Sequence, residues 1–142
     1  MNIYIKEAIS QAQKAYKRKE IPIGAVVVKD NKIIAKVYNK RQAKNNVLGH
    51  AEIIAILKAG RKLKDWRLFD CELYVTLKPC ELCEKVIKES RISKVYYLIE
   101  RNEDKKAYSG TEFVKVNDIE SKEIEDYQNI LTSFFENKRI SK

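Results

Sequence analysis

Leu73-Tyr74-Val75-Thr76-Leu77-Lys78-Pro79-Cys80-Glu81-Leu82-Cys83 changes its period in mid-course. Its first five residues read as a strand. Pro79 then starts a helix, in a first turn where its missing N–H costs nothing, and that helix runs through Val86 and Ile87 to about Glu89. Cysteines at i and i+3 of a helix face the same side. A strand that runs straight into a helix is the unit of an α/β domain, and the rest of the chain repeats the alternation.

Upstream, residues 3–17 put Ile5, Ala8, Ile9, Ala12, Ala15 and Tyr16 on one helical face, and Pro22 closes the segment. Ala25-Val26-Val27-Val28, the Asp30-Asn31 turn and the run Ile33 to Tyr38 predict a β-hairpin. After a polar stretch, Gly49-His50-Ala51-Glu52-Ile53-Ile54 opens a helix that ends near Gly60. Downstream, Val95 to Ile99 and Phe113 to Val116 read as strands. A last helix carries Ile124, Tyr127, Ile130, Leu131, Phe134 and Phe135 at helical spacing. This order predicts one layered α/β domain over 1–142, with helices on both faces of a sheet.

The 142 residues suffice to bury a core without disulfides. No apolar run is long enough to cross a bilayer. Lys6 and Glu7 interrupt the first turns, so a secretory leader is not expected, and the expected location is the cytoplasm. With 29 Lys+Arg against 20 Asp+Glu, the net charge of +9 predicts a surface that attracts polyanions.

Three cysteines are too few for a disulfide framework, and Cys80-Glu81-Leu82-Cys83 points instead to metal or redox chemistry. Both thiols sit at a helix N-terminus, which favours the thiolate forms that bind zinc. His50 is the single histidine and adds one nitrogen, giving a His/Cys/Cys set. A structural zinc site closes with four protein ligands, whereas a catalytic one keeps a place for water. Cys71 is the one other thiol. With Cys71 packed as a small apolar residue, three ligands remain and Glu52 stands beside them as a proton carrier. A lone histidine also argues against a Ser-His-Asp or Cys-His hydrolase, whose base it would have to supply.

His50-Ala51-Glu52 with Pro79-Cys80-Glu81-Leu82-Cys83 is the recognised signature of zinc deaminases, so the mechanism it implies is recognised rather than predicted independently. More of the chain resembles the tRNA-specific adenosine deaminase family within the cytidine-deaminase-like superfamily. Glu20-Ile21-Pro22-Ile23-Gly24-Ala25-Val26, Leu73 to Leu77 and Ser90-Arg91-Ile92 are similar to its consensus. The tail Leu131-Thr132-Ser133-Phe134-Phe135, followed by Lys138-Arg139, is similar to its C-terminal helix. The resemblance implies a three-layer α/β/α fold around a mixed sheet of about five strands. It implies one zinc per subunit, held by His50, Cys80 and Cys83, and Glu52 as the catalytic residue. Asn39, with the backbone around Ala51 and Pro79, would line the base pocket. Phe134, Phe135, Lys138 and Arg139 would grip a tRNA anticodon loop, and the enzyme would be a homodimer. The implied reaction is hydrolytic conversion of adenosine to inosine at the wobble position.

Several positions depart from the family pattern. Asn46-Val47-Leu48-Gly49 replaces an Asp-Pro-Ser/Thr-Ala run, Lys78 replaces a Glu, and Glu84-Lys85 replaces a small pair. Residues 98–106, Leu-Ile-Glu-Arg-Asn-Glu-Asp-Lys-Lys, replace a Gly-Ala-x-Asp-x-Lys-x-Gly-Ala loop. These departures spare the zinc ligands and Glu52, and they bear on the substrate. A deaminase of a free base or nucleoside, such as guanine or cytosine, is the second reading. The third is a non-enzymatic zinc module that binds RNA, which requires Cys71 as a fourth ligand.

Overall fold

The computed structural model describes residues 2–42, 45–101 and 111–140, the side chains of 137–140 excepted. Nine elements follow one another: α1 (Ile3–Lys17), β1 (Gly24–Lys29), β2 (Lys32–Tyr38), α2 (Ala51–Leu63), β3 (Cys71–Leu77), α3 (Glu81–Glu89), β4 (Lys94–Ile99), β5 (Glu112–Lys115) and α4 (Ser121–Ile140). The sheet order is β2-β1-β3-β4-β5. β1 runs antiparallel to β2 and β3, while β3, β4 and β5 are parallel. The expected mixed five-stranded sheet is therefore present.

Alternation along β1 divides the core in two. Ala25 and Val27 face α2 and α3, where Ala51, Ala55, Ile56, Ala59 and Ile87 pack over Leu73, Val75 and Val95. Val26 and Val28 face α1 and α4, against Ile5, Ala8, Ala12, Tyr127 and Leu131. Period-2 strands between period-3.6 helices thus give three layers. Asp30 and Asn31 both have positive φ, 51° and 61°, as the two-residue turn of a right-twisted hairpin requires. A Cβ on Gly24 would lie 2.0 Å from the Ala8 carbonyl oxygen, so only glycine lets α1 settle on β1 here.

Two expected boundaries shift. α2 continues past Gly60 to Leu63 and ends with Lys64 in the left-handed region at φ 58°. Gly60 therefore lies inside the helix, and the buried Ala59 holds the turn that carries it onward. Pro79 is not in the first turn of α3. It precedes the cap residue Cys80, whose extended backbone makes the corner between β3 and the helix. Cys71, expected on the approach to a strand, is the first residue of β3 and is fully buried.

Candidate active site

Two helices begin at the same place. His50 is the N-cap residue of α2 and Cys80 that of α3. Each has extended backbone, so its side chain leaves the helix axis and turns into the space between the helix ends. Gly49 prepares the approach: a Cβ there would lie 2.7 Å from the Arg41 backbone, and the Lys40 N–H donates to the Gly49 carbonyl at 2.8 Å. His50 Nδ1 lies 3.9 Å from Cys80 Sγ and 3.5 Å from Cys83 Sγ. All three donor atoms lie within 4.8 Å of one another, and they form the one such triad among the described residues.

Those spacings fit one tetrahedral ion. Bonds of about 2.3 Å to sulfur and about 2.0 Å to nitrogen put neighbouring ligand atoms roughly 3.5 to 3.8 Å apart. Two sulfurs and one imidazole nitrogen suit zinc. Cys71 cannot close the site. It begins β3 while the cysteine corner follows the end of that strand, about 20 Å away at about 3.3 Å per residue. The fourth-ligand role that a purely structural zinc module would require therefore falls away.

Glu52 enters from the first turn of α2 and is 2% exposed. Burial pushes its carboxyl up to about 7; the Cys80 charge adds to this, and the Arg101 charge opposes it. The Cys83 thiol hydrogen-bonds the Cys80 sulfur and holds Cys80 down at about 5, with the His50 charge helping. The shared proton and burial push Cys83 up. Ala51 and Pro79, which adjoin His50 and Cys80 in the chain, are both buried.

Asn39 is 2% exposed and lies beside this corner. Its N–H donates to the Ile23 carbonyl at 3.0 Å, one residue from the Lys40–Gly49 bond that leads to His50. It lines a cleft of about 200 Å³ with Glu20, Arg41, Gln42, Phe134 and Phe135. Phe134 is 6% exposed and Phe135 45%, and their rings meet edge to face at 5.3 Å. Phe134 is thus chiefly a packing residue, while Phe135 offers a face to solvent. The side chains of Lys138 and Arg139 lie outside the described residues, as do residues 102–106 of the divergent segment.

Sequence reasoning missed four residues. Glu20, buried, accepts the Gln42 N–H at 3.0 Å and holds the loop beside Asn39. Tyr127, buried in α4, donates its hydroxyl to the Pro22 carbonyl at 2.7 Å and so fixes the helix that carries the two phenylalanines. Arg101 Nε donates to the Lys78 carbonyl, just before the Pro79-Cys80 corner. Glu100 accepts Lys78 Nζ at 3.1 Å and the Tyr97 hydroxyl at 2.8 Å. Two departures from the family pattern, Lys78 and the 98–106 segment, therefore meet each other. The charge change at 78 was the available signal; its partner only the parallel pairing of β3 and β4 reveals.

A mixed sheet between helix layers, with a His/Cys/Cys triad and a buried glutamate at two helix starts, defines a zinc deaminase domain. Residues 2–99 match the family model for the cytidine and deoxycytidylate deaminase zinc-binding region, and the chain belongs to that family. It is 45% identical over 95 residues to a tRNA-specific adenosine deaminase of Rickettsia bellii, covering 66% of each chain. Among solved structures, it resembles one from studies of A-to-I editing by tRNA:A34 deaminases at the wobble position of transfer RNA. There the identity is 31% and the TM-score 0.74, over 80% of this chain and 97% of that one. A guanine deaminase from Bacillus subtilis is also similar, at 28% identity and TM-score 0.68, over 91% of this chain and 93% of that one. The aligned part spans 59% to 66% of the length of the first curated relatives. No described helix is long and apolar enough to cross a membrane.

Proposed function

We propose that this chain deaminates adenosine to inosine at the wobble position of tRNA anticodon loops. One zinc per subunit is held by His50, Cys80 and Cys83. When bound, zinc lowers the pKa of a water towards neutrality. Glu52 takes one proton from the attacking water and gives it to the ring nitrogen beside the reacting carbon; it then takes the remaining proton from the new hydroxyl and gives it to the departing amine, leaving the carbonyl of inosine. Burial, which raises this carboxyl in the metal-free protein, suits a group that must both accept and give. Asn39 orients the flipped base between the buried walls at Ala51 and Pro79.

The observation that carries the RNA reading is the cleft. It continues from Asn39 to the exposed ring of Phe135, where a base next to the target can stack. Lys138 and Arg139, next along α4, complete the grip on phosphates. The +9 charge and the relatives named for tRNA support the same substrate. A homodimer in the cytoplasm goes with this reading, and two reduced thiols suit that compartment.

Guanine is the second reading, supported by the likeness to a guanine deaminase over nearly the whole chain. Ammonia release separates the two. With unmodified tRNA the rate should exceed that with guanine and fall steeply as salt rises. Release from guanine alone, indifferent to salt, contradicts the tRNA reading.

A further inference from the structure

The far end of the domain carries a surface that the reaction does not use. The last turns of α2 and the loop that leads to β3, residues 58–70, hold five basic and two acidic residues. Within it, Trp66 is 61% exposed and Phe69 53%. The Arg67 guanidinium lies 5.6 Å and that of Arg91 5.4 Å from the Trp66 ring centre. Both guanidinium groups lie over the ring, and the residue still stays largely open to solvent between them. Neither is floppy. Arg67 Nε is held by Asp65 at 3.0 Å, and Arg91 Nη1 donates to the Glu89 carbonyl at 2.8 Å. Arg91 has φ 70°, an uncommon conformation for a non-glycine residue, which brings it back across the end of α3. Lys29 Nζ donates to the Phe69 carbonyl at 2.8 Å and adds a third cation. The acidic neighbours are Asp65, which Arg67 engages, Asp70, and Glu89, 4.0 Å from Arg91.

We infer that Trp66, flanked by Arg67 and Arg91, is a second RNA-contact surface, before the start of β3 and so at the end of that strand opposite the zinc triad. An exposed ring offers a base a stacking face, and fixed guanidinium groups meet phosphates on either side. A second copy of the chain would have to bring carboxylates to the same place. Here the excess of positive charge favours a polyanion and repels another copy. An anticodon loop seated at the zinc triad cannot also cover this end. The contact is therefore with another unpaired segment of the tRNA, and the inference rests on the RNA-substrate reading above.

Trp66 is the sole tryptophan, so emission excited at wavelengths the eight tyrosines do not absorb reports on this surface. Titrating the zinc-loaded protein with full-length unmodified tRNA should quench that emission saturably, with weaker binding as salt rises. In the Arg67→Ala/Arg91→Ala double variant, about tenfold more tRNA should be needed for half-quenching. Its turnover of an isolated anticodon stem-loop should match the parent's. Trp66→Ala, assayed by filter retention with circular dichroism to verify folding, should weaken tRNA binding by a similar factor. Unchanged emission while tRNA binds and is deaminated overturns the inference. So does emission that follows protein concentration without RNA, which assigns the surface to a second copy. Quenching without deamination leaves this surface standing and sinks the tRNA substrate instead.

Discussion

The metal corner and the Asn39 cleft are neighbours built in opposite ways. His50, Glu52, Cys80 and Cys83 come from two short motifs, each at a helix start, and local backbone aims them. The cleft draws on the segment before β1, the loop after β2 and the far end of α4, and it exists only once the sheet and both helix layers have assembled. In the first, Glu52 and Cys83 are buried and His50 and Cys80 half-buried, whereas the second opens to solvent at Phe135. Short-range geometry thus holds the proposed reacting groups, and long-range packing holds the proposed substrate cleft.

The sharpest way to break that division is at the corner itself. Glu52→Ala should lower turnover by about a thousandfold or more, since it removes both proton transfers, while metal analysis still finds zinc. Zinc lost together with activity would mean that Glu52 helps to hold the ion. Cys83→Ala should lose zinc and turnover together and unfold at lower temperature, because one buried sulfur holds both the ion and the α3 start.

A pH series sharpens the same point. Burial raises the Glu52 carboxyl from 4.5 to about 7, so the folded protein binds this proton more tightly than the unfolded chain. Its ionisation then subtracts stability as pH rises from about 4.5 to 7, in total about 3 kcal/mol for chelator-treated protein. Glu52→Gln should therefore gain midpoint stability above about pH 8 and nothing below about pH 4. A gain of equal size at both extremes would point to packing rather than charge.

Effects at the cleft should be smaller and confined to the substrate. Asn39→Ala should cost about ten- to a hundredfold in kcat/KM with zinc content unchanged, as for the loss of a buried hydrogen-bonding group. Phe135→Ala should weaken tRNA binding by about 1–3 kcal/mol and leave the melting temperature nearly unchanged. Loss of zinc in Asn39→Ala would erase the distinction between the two regions. The smallest effect belongs to Lys78→Glu. It sets two carboxylates together at Glu100, but the pair is partly exposed, so about 1 kcal/mol or less is expected in chemical denaturation.

The same division explains what could be read before folding. Hydrophobic patterning located every element, because the helices bury one regular face and the central strands β1 and β3 are apolar runs buried on both faces. The zinc ligands and Glu52 were legible because the chemistry demands particular residue types at fixed short spacings. The end of α2 was not: Lys64 takes the left-handed cap position that the pattern would assign to glycine. Nor was the start of α3, which begins at Glu81, two positions after Pro79, since a proline reads alike in a first turn and just before a cap. Arg101, Tyr127 and Glu20 carried no local signal. Arg101 reaches Lys78 across the parallel strands, Tyr127 reaches Pro22 over 105 positions, and Glu20 reaches Gln42 over 22. Such contacts are set by the register of distant segments, which no local window contains.

The most direct test of the central claim is to incubate the zinc-loaded protein with unmodified tRNA and sequence the product. Inosine confined to the wobble position, and absent with Glu52→Ala, is the predicted result. No inosine from a protein that holds its zinc and releases ammonia from guanine would contradict it.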